Sequence, residues 1–129
     1  MAPLSLSFVM FVGLSGALGA ISRYLLGRFI AERVNSQIPL GTLVINVTGA
    51  FFIGLLFALA EHKVISASQQ IILATGFLGG YTTFSTLSWE SIHLARGGKT
   101  VSSMLYLGGS LALGLICAIL GLMVGGWVL

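Results

Sequence analysis

The sequence predicts an all-α membrane protein with four transmembrane helices in a single domain that covers residues 1–129. Hydrophobic residues make up 57% of the chain and charged residues only 7%, whereas about a quarter of the residues of a soluble domain are charged. The charged residues also leave four neutral stretches, each longer than the ~20 residues that a helix needs to cross the bilayer core. The composition excludes an ordinary water-facing surface, and the charge spacing sets the number of spans.

The neutral stretches predict helices at about residues 5–30, 39–60, 68–95 and 101–128. Pro39 favours a helix start, because the N–H that proline lacks would have no helical partner there. Gly97 and Gly98 favour an end of the third helix. The loops at one end of the bundle, with the helix ends beside them, carry four basic residues, against Lys63 alone at the other end. The positive-inside rule then predicts that both termini face out.

Small residues recur at four-residue spacing in every predicted helix. The pairs are Gly13/Ala17, Gly16/Ala20, Ala50/Gly54, Gly76/Gly80 and Gly121/Gly125. Because helices in a bilayer associate through close backbone approach and van der Waals packing, these pairs predict tight helix–helix contacts. Four helices enclose little interior, so a homodimer is the natural way to build a protected pathway.

Enzymatic function has no support in the sequence. Three acidic residues are expected at span ends or in loops: Glu32, Glu61 and Glu90. Proton-coupled cation export normally needs a carboxylate inside the membrane as a proton relay, so it is disfavoured as well. The sequence contains no recognisable catalytic or metal-ligand cluster, and Cys117 is expected to be a small buried side chain. The net charge of +3 lies at helix ends, so we predict no nucleic-acid binding.

Residues 76–87 (GFLGGYTTFSTL), in the middle of the third neutral stretch, contain three glycines and four serines or threonines. Glycine and threonine are poor helix formers, and inside a bilayer every backbone group that leaves a helix must find another partner. A break near residues 76–83 is favoured over an intact helix, provided that it is buried in protein or lines a polar cavity. Broken helices of this kind bind ions in other transporters through carbonyls and half-helix ends.

Polar residues inside the other spans are further candidates for an ion pathway. Arg23 either marks such a pathway or extends its guanidinium to the interface, and the sequence leaves both open. Asn46 and Thr42 share one helix face, where the amide either lines a pore or bonds a neighbouring helix. Tyr106 and Ser110 could both donate to an anion, although a serine bonded to its own i−4 carbonyl is the favoured interpretation.

Three segments resemble the Fluc (CrcB) family of microbial fluoride channels: residues 16–24 (GALGAISRY), 41–46 (GTLVIN) and 79–86 (GGYTTFST). The resemblance covers the whole chain, including its length and number of spans. It implies an antiparallel, dual-topology homodimer in the plasma membrane (the inner membrane of a bacterial cell), with two pores and a central structural sodium ion, Na+. The implied function is passive export of cytoplasmic fluoride, which lowers fluoride toxicity.

The resemblance also assigns individual residues. Backbone carbonyls at the break, those of Gly79 and Thr82 from each subunit, would hold the sodium. The expected fluoride pathway consists of Phe84, Asn46, Arg23, Thr42, Ser85, Thr86, Leu87, Tyr106 and Ser110. Leu87 takes the place of a second phenylalanine of the family motif, and Gly114 a place where some relatives have serine. Since the charge bias opposes insertion in both orientations, a pair of oppositely oriented, different subunits is the alternative to the homodimer.

The chemistry of these residues suits fluoride, whose tightly held water must be replaced by hydrogen-bond donors. The partial positive edge of the Phe84 ring can face an anion, whereas Leu87 supplies only shape. A fixed sodium would add a positive field. Two alternatives remain at this point. A small multidrug-type exporter would need a glutamate inside helix 1, which the sequence lacks. A non-conducting bundle subunit would use the polar residues to join helices and would require no sodium.

Overall fold

The computed structural model describes residues 5–128, and five helices account for most of them. The helices are α1 (Leu6–Arg33), α2 (Leu40–Glu61), α3 (67–81), α4 (Phe84–Arg96) and α5 (Thr100–Val128). Helix α3 is composite, with α-helical turns at Ala67–Gln70 and Gly79–Tyr81 and a π-helical segment, Ile71–Leu78, between them. Between residues 5 and 128 the secondary structure is helical only.

Helices α1, α2 and α5 are each long and apolar enough to cross a membrane. The expected third span consists of two shorter helices, α3 and α4, because Thr82 and Thr83 between them have extended backbone, with ψ angles of 157° and 115°. Residues 76–81, which the sequence included in the predicted break, are helical. The chain is therefore an all-helical, multi-pass membrane protein.

The first helix is longer than the sequence predicted. Its expected end was residue 30, with Glu32 and Arg33 at the first loop, but α1 continues through Arg33. Side-chain pairs support the last turn. Arg28 Nε lies 2.9 Å from Glu32 Oε1 at i,i+4 spacing, and the Arg33 guanidinium lies 4.4 Å from the centre of the Phe29 ring. The spacing of charged residues indicates where the apolar stretch ends. The helix extends beyond that point because i,i+4 side-chain pairs stabilise its last turn.

Helices α2 and α5 pack backbone against backbone through glycines. A Cβ atom on Gly54 would overlap the Ala118 carbonyl of α5, and one on Gly121 would overlap the Phe51 carbonyl of α2. Because glycine has no side chain, the two helices can approach each other closely, and such close approach stabilises helix pairs in a bilayer.

Helices α1 and α3 form a second glycine-mediated pair. A Cβ atom on Gly80 would overlap the Gly16 carbonyl, and one on Gly19 would overlap the Phe77 carbonyl. The contact predicted at Gly13 is wrong within the described residues 5–128, since a Cβ atom there would meet none of them within 4 Å. Small-residue spacing indicates where helices can approach, but the neighbouring helix decides which of these positions is used.

Helix α4 packs on α5 through a small core. Leu87, Leu94 and Tyr106 are buried together there. The buried Ser103 hydroxyl donates to the Ser91 carbonyl across the same interface. Only 4% of Leu87 is exposed, so this side chain belongs chiefly to the helix–helix core.

Candidate functional site

The break between α3 and α4 is capped by its own threonines. Thr83 has the extended backbone of an N-cap, and its Oγ1 accepts the Thr86 N–H at 3.1 Å. Threonine suits this position because its side-chain oxygen satisfies an N–H that has no partner inside the helix. The break brings the carbonyl end of one helix close to the amide end of another, an arrangement through which half-helices bind ions.

Asn46 of α2 binds both backbone polar groups of Thr83. Its Oδ1 accepts the Thr83 N–H at 2.8 Å, and its Nδ2 donates to the Thr83 carbonyl at 2.9 Å. One of the two amide hydrogens stays available for another acceptor. The sequence left open whether this amide lines a pore or bonds a neighbouring helix. In the structure it bonds the break, satisfying groups that would otherwise be unpaired in the membrane, and it also lines a cavity beside the break.

Arg23 of α1 contacts the break from the other side. Its Nε donates to the Gly80 carbonyl at 3.1 Å, in a half-buried setting. A guanidinium bound to a carbonyl near the end of α3 stabilises the negative end of that helix. The terminal nitrogens stay free of that bond, and Arg23 also lines a cavity. Extension to the interface, one of the two possibilities that the sequence left open, is therefore not the sole role of Arg23.

The carbonyls around the break divide into two groups. Those of Leu78, Gly80 and Thr83 each accept a hydrogen bond from a residue of this chain. Within residues 5–128, no backbone or side-chain donor is found at the carbonyls of Gly79, Tyr81 and Thr82. Carbonyl oxygens released at a helix break are suitable ligands for a hard cation. The two carbonyls that the family resemblance implies for sodium are thus both free to bind one.

A cavity of about 790 Å³ lies on the α1 side of the break; we call it the larger cavity. Three arginines and two glutamates are among the residues that line it. Of the predicted pathway residues it includes Arg23, Thr42 and Thr86, together with Thr83 of the break. Its positive excess and its hydroxyl groups are suited to drawing in a small anion.

A second cavity of about 400 Å³ lies between the break and α5; we call it the smaller cavity. Asn46, Phe84, Leu87 and Ser110 line it, and Gly114 adds open space one turn further. The Ser110 hydroxyl is buried, and residues 5–128 offer it no hydrogen-bond partner. The favoured sequence interpretation, a bond to its own i−4 carbonyl, is therefore wrong. Since buried polar groups nearly always have a partner, this hydroxyl is a candidate donor to a small ion or molecule in the cavity.

Glu90 is a part of the site that the sequence analysis missed. It was expected at a span end, but it lies within α4, half-buried, and accepts a hydrogen bond from the Tyr106 hydroxyl at 3.0 Å. Glu90 also lines the larger cavity with Thr83 and Thr86. Residues 83, 86 and 90 are three and four positions apart, which puts them on one helix face. That spacing was visible in the sequence and could have identified the glutamate.

The remaining predicted residues are spread around the break. Tyr106 is buried and contacts Glu90. Ser85 is exposed, with its hydroxyl 3.3 Å from Thr83 Oγ1. Phe84 is 74% exposed, so most of its surface is not covered by residues 5–128.

Comparison with known proteins gives the same family along most of the chain. Residues 10–122 match a family described as "CrcB-like protein, Camphor Resistance (CrcB)". A protein of Acidobacterium capsulatum named fluoride-specific ion channel FluC is 46% identical over 117 residues, covering 90% of this chain and 94% of that relative. Proteins with the same name from Thermus thermophilus and Aquifex aeolicus are 44% and 42% identical over 115 residues. These matches cover 89% and 88% of this chain and 91% and 93% of the two relatives.

The resemblance drawn from three short motifs is thus confirmed by matches that extend from α1 into α5. The glycine, asparagine and threonine residues that build the break lie inside the matched range. The chain belongs to the CrcB family.

Proposed function

We propose that this chain forms a fluoride-selective channel, which passively exports fluoride from the cytoplasm and so lowers its toxicity. The observation that carries the proposal is the buried Ser110 hydroxyl, for which residues 5–128 supply no hydrogen-bond partner, in the wall of the smaller cavity that Asn46 also lines. Both groups are neutral donors that can replace part of the water around an anion. The relatives' name, fluoride-specific ion channel, identifies the anion.

The chemistry of the two cavities supports conduction rather than tight binding. The larger cavity offers arginines that attract an anion. The smaller cavity is lined mostly by apolar residues, and its polar residues are all neutral. An anion that meets the positive edge of a ring and single hydroxyl groups is held weakly enough to leave. Leu87 lies in the wall of the smaller cavity but contributes shape only, because it lacks a ring quadrupole.

Sodium is the proposed structural cofactor, held by the carbonyls of Gly79 and Thr82. Two observations support this assignment. No residue between 5 and 128 donates a hydrogen bond to either carbonyl, and both carbonyls lie at the end of α3. When bound, the ion would supply a fixed positive charge beside the anion path. A single chain offers few oxygen ligands at this point, so a second copy would complete the coordination.

The proposed assembly is an antiparallel, dual-topology homodimer in the bacterial inner membrane. Phe84 and Gly79 are both assigned to the site, yet both are exposed at the surface of a single chain. A second copy that covers them would enclose the site, which supports the dimer. The bias of basic residues toward the ends of α1 and α4 favours one orientation. A pair of different, oppositely oriented subunits is therefore the alternative assembly.

Fluoride efflux from liposomes tests the function directly. Vesicles that contain the purified protein and potassium fluoride should release fluoride when valinomycin is added, as followed with a fluoride electrode. Vesicles loaded with chloride should release little of it. A proton gradient should not accelerate the flux, because the proposal assigns no proton relay to Glu90. Equal chloride release would end the selectivity claim, and strict dependence on the proton gradient would replace the channel by a coupled transporter.

Ser110→Ala is expected to separate function from stability. Removing a buried hydroxyl that has no partner removes its desolvation penalty, so stability should stay equal or rise by about 1 kcal/mol. Fluoride efflux should fall by about tenfold, since one net hydrogen bond to the passing anion is lost. Thermal unfolding in detergent and liposome efflux measure the two effects. A destabilised variant with wild-type flux would mean that Ser110 only packs α5.

A further inference from the structure

Helix α2 contacts the break and the end of α3 through three residues of about one turn, Asn46, Thr48 and Gly49. Asn46 binds the backbone of Thr83, and Gly49 leaves the space that the Thr82 methyl group fills. Between them, Thr48 Oγ1 lies 2.9 Å from the Tyr81 hydroxyl. We propose that this Tyr81–Thr48 hydrogen bond positions the free carbonyls at the break and thereby sets the affinity for sodium. The inference rests on the sodium site of the proposed function.

The direction of this hydrogen bond follows from the other contacts of Thr48. Its hydroxyl lies 2.7 Å from the Val44 carbonyl and 3.1 Å from the Ile45 carbonyl. Because carbonyls only accept, Thr48 uses its single hydrogen on its own helix. Tyr81 must then donate, and Thr48 accepts with a lone pair. The hydrogen bond therefore has one defined direction. The Thr48 hydroxyl is held in place by its own helix, independently of Tyr81.

The tyrosine ring is also held from its other side. It stacks on Phe77 with 6.0 Å between ring centres and 18° between planes. A ring that is stacked and hydrogen-bonded has little rotational freedom, and Tyr81 is the last residue of α3. Fixing this side chain limits the backbone angles at the end of α3. The carbonyls of Gly79 and Thr82 lie on either side of that point.

Thr82 lies between two anchors. Tyr81 before it is bound to Thr48, and Thr83 after it is bound to Asn46. The Thr82 side chain itself donates to the Leu78 carbonyl at 2.9 Å. With both neighbours fixed, the Thr82 carbonyl has a defined direction before an ion arrives. Preorganisation of this kind raises affinity, because fewer conformations are lost on binding.

The test is a sodium titration of thermal stability with the purified, full-length protein. Sodium chloride replaces choline chloride at constant ionic strength, and the midpoint of the increase in unfolding temperature is measured. Tyr81→Phe removes only the hydroxyl, and Thr48→Val removes its acceptor at similar volume. Each variant should raise the sodium midpoint by about 2- to 10-fold, the effect of one neutral hydrogen bond. The double variant should show no further rise, because both changes remove the same interaction.

The matched control is Ser22→Ala. Ser22 donates to the carbonyl four residues earlier in α1, at 2.8 Å, as Thr48 does in α2. The variant therefore removes an equivalent bond within a helix, and within residues 5–128 the Ser22 hydroxyl makes no hydrogen bond to the break. Its sodium midpoint should equal that of the wild-type protein.

The outcomes separate this inference from the channel function. If Tyr81→Phe lowers stability but leaves the sodium midpoint unchanged, Tyr81 is only a packing residue and the inference is wrong. If sodium does not stabilise the wild-type protein, the sodium site and the inference both fail, whatever the fluoride flux. A shifted midpoint in a protein that releases no fluoride would support the inference and refute the channel.

Discussion

Asn46→Ala is expected to slow fluoride efflux by at least about 30-fold, since two bonds to a half-buried backbone segment are lost, each worth about 1–3 kcal/mol when its partner is left unpaired. Asn46 satisfies the N–H and the carbonyl of Thr83 at 2.8 and 2.9 Å. Without the amide, both groups lie unpaired in a membrane protein interior, and the start of α4 can move. The same change removes the amide hydrogen that stays available beside the smaller cavity.

Liposome efflux measures this effect, and size-exclusion chromatography verifies that the variant is folded. Asn46→Asp serves as a second variant, because it keeps the shape and the acceptor for the Thr83 N–H. It loses the donor and adds a negative charge, so it should be as slow as the alanine variant. Ser22→Ala should conduct at the wild-type rate. Fast efflux through both Asn46 variants would remove this residue from the pathway and from the support of the break.

Gly80→Ala is expected to destabilise the protein by about 1–3 kcal/mol, the usual cost of an overpacked contact. The new Cβ atom would overlap the Gly16 carbonyl, which is helix backbone and has no rotamer that would relieve the overlap. Alanine gains about 1 kcal/mol of helix propensity over glycine, but separation of α1 from α3 outweighs it. Such a separation would also lengthen the 3.1 Å bond from Arg23 Nε to the Gly80 carbonyl.

The unfolding temperature and the fluoride flux of Gly80→Ala should therefore both fall. Gly13→Ala is the matched control, since it adds the same methyl group to α1 at a place with nothing within 4 Å. That variant should be equal to or slightly more stable than the wild-type protein, because only the propensity changes. Equal stability of the two variants would show that α1 and α3 can separate without cost.

The sequence indicated the helices better than it indicated the break. Charge gaps locate the apolar spans, and a bilayer requires satisfied backbone groups along each of them. The gaps do not set every helix end, since α1 continues past its gap through Arg33. Glycine content pointed to residues 76–83, but Gly76, Gly79 and Gly80 are helical. Two of them pack against α1, so tertiary contacts outweigh their low helix propensity. The backbone leaves the helix at Thr82 and Thr83, where Asn46 of another helix supplies partners.

The candidate site was also only partly predictable from the sequence. Residue types suggested Arg23 and Asn46, but their partners lie 57 and 37 positions away in the chain. No local pattern encodes such distances. The lone Ser110 hydroxyl could not be predicted either, because a serine in a helix usually bonds its own backbone. Glu90 was within reach of sequence reasoning, since its spacing from Thr83 and Thr86 puts all three on one helix face.

The π-helical segment Ile71–Leu78 affects which residues of α3 face α1. In this segment hydrogen bonds run from i to i+5, so it holds more residues per turn than an α-helix of equal length. The Ser15 hydroxyl donates to the Ile72 carbonyl at 2.8 Å and supplies a partner from α1. Removing one residue from the segment would let i→i+4 bonds close with the flanking turns nearly in phase, because the narrower α-helical turns need fewer residues for the same rotation. The wider turns therefore take up chain length inside α3, while Gly76 and Gly80 both stay aimed at α1.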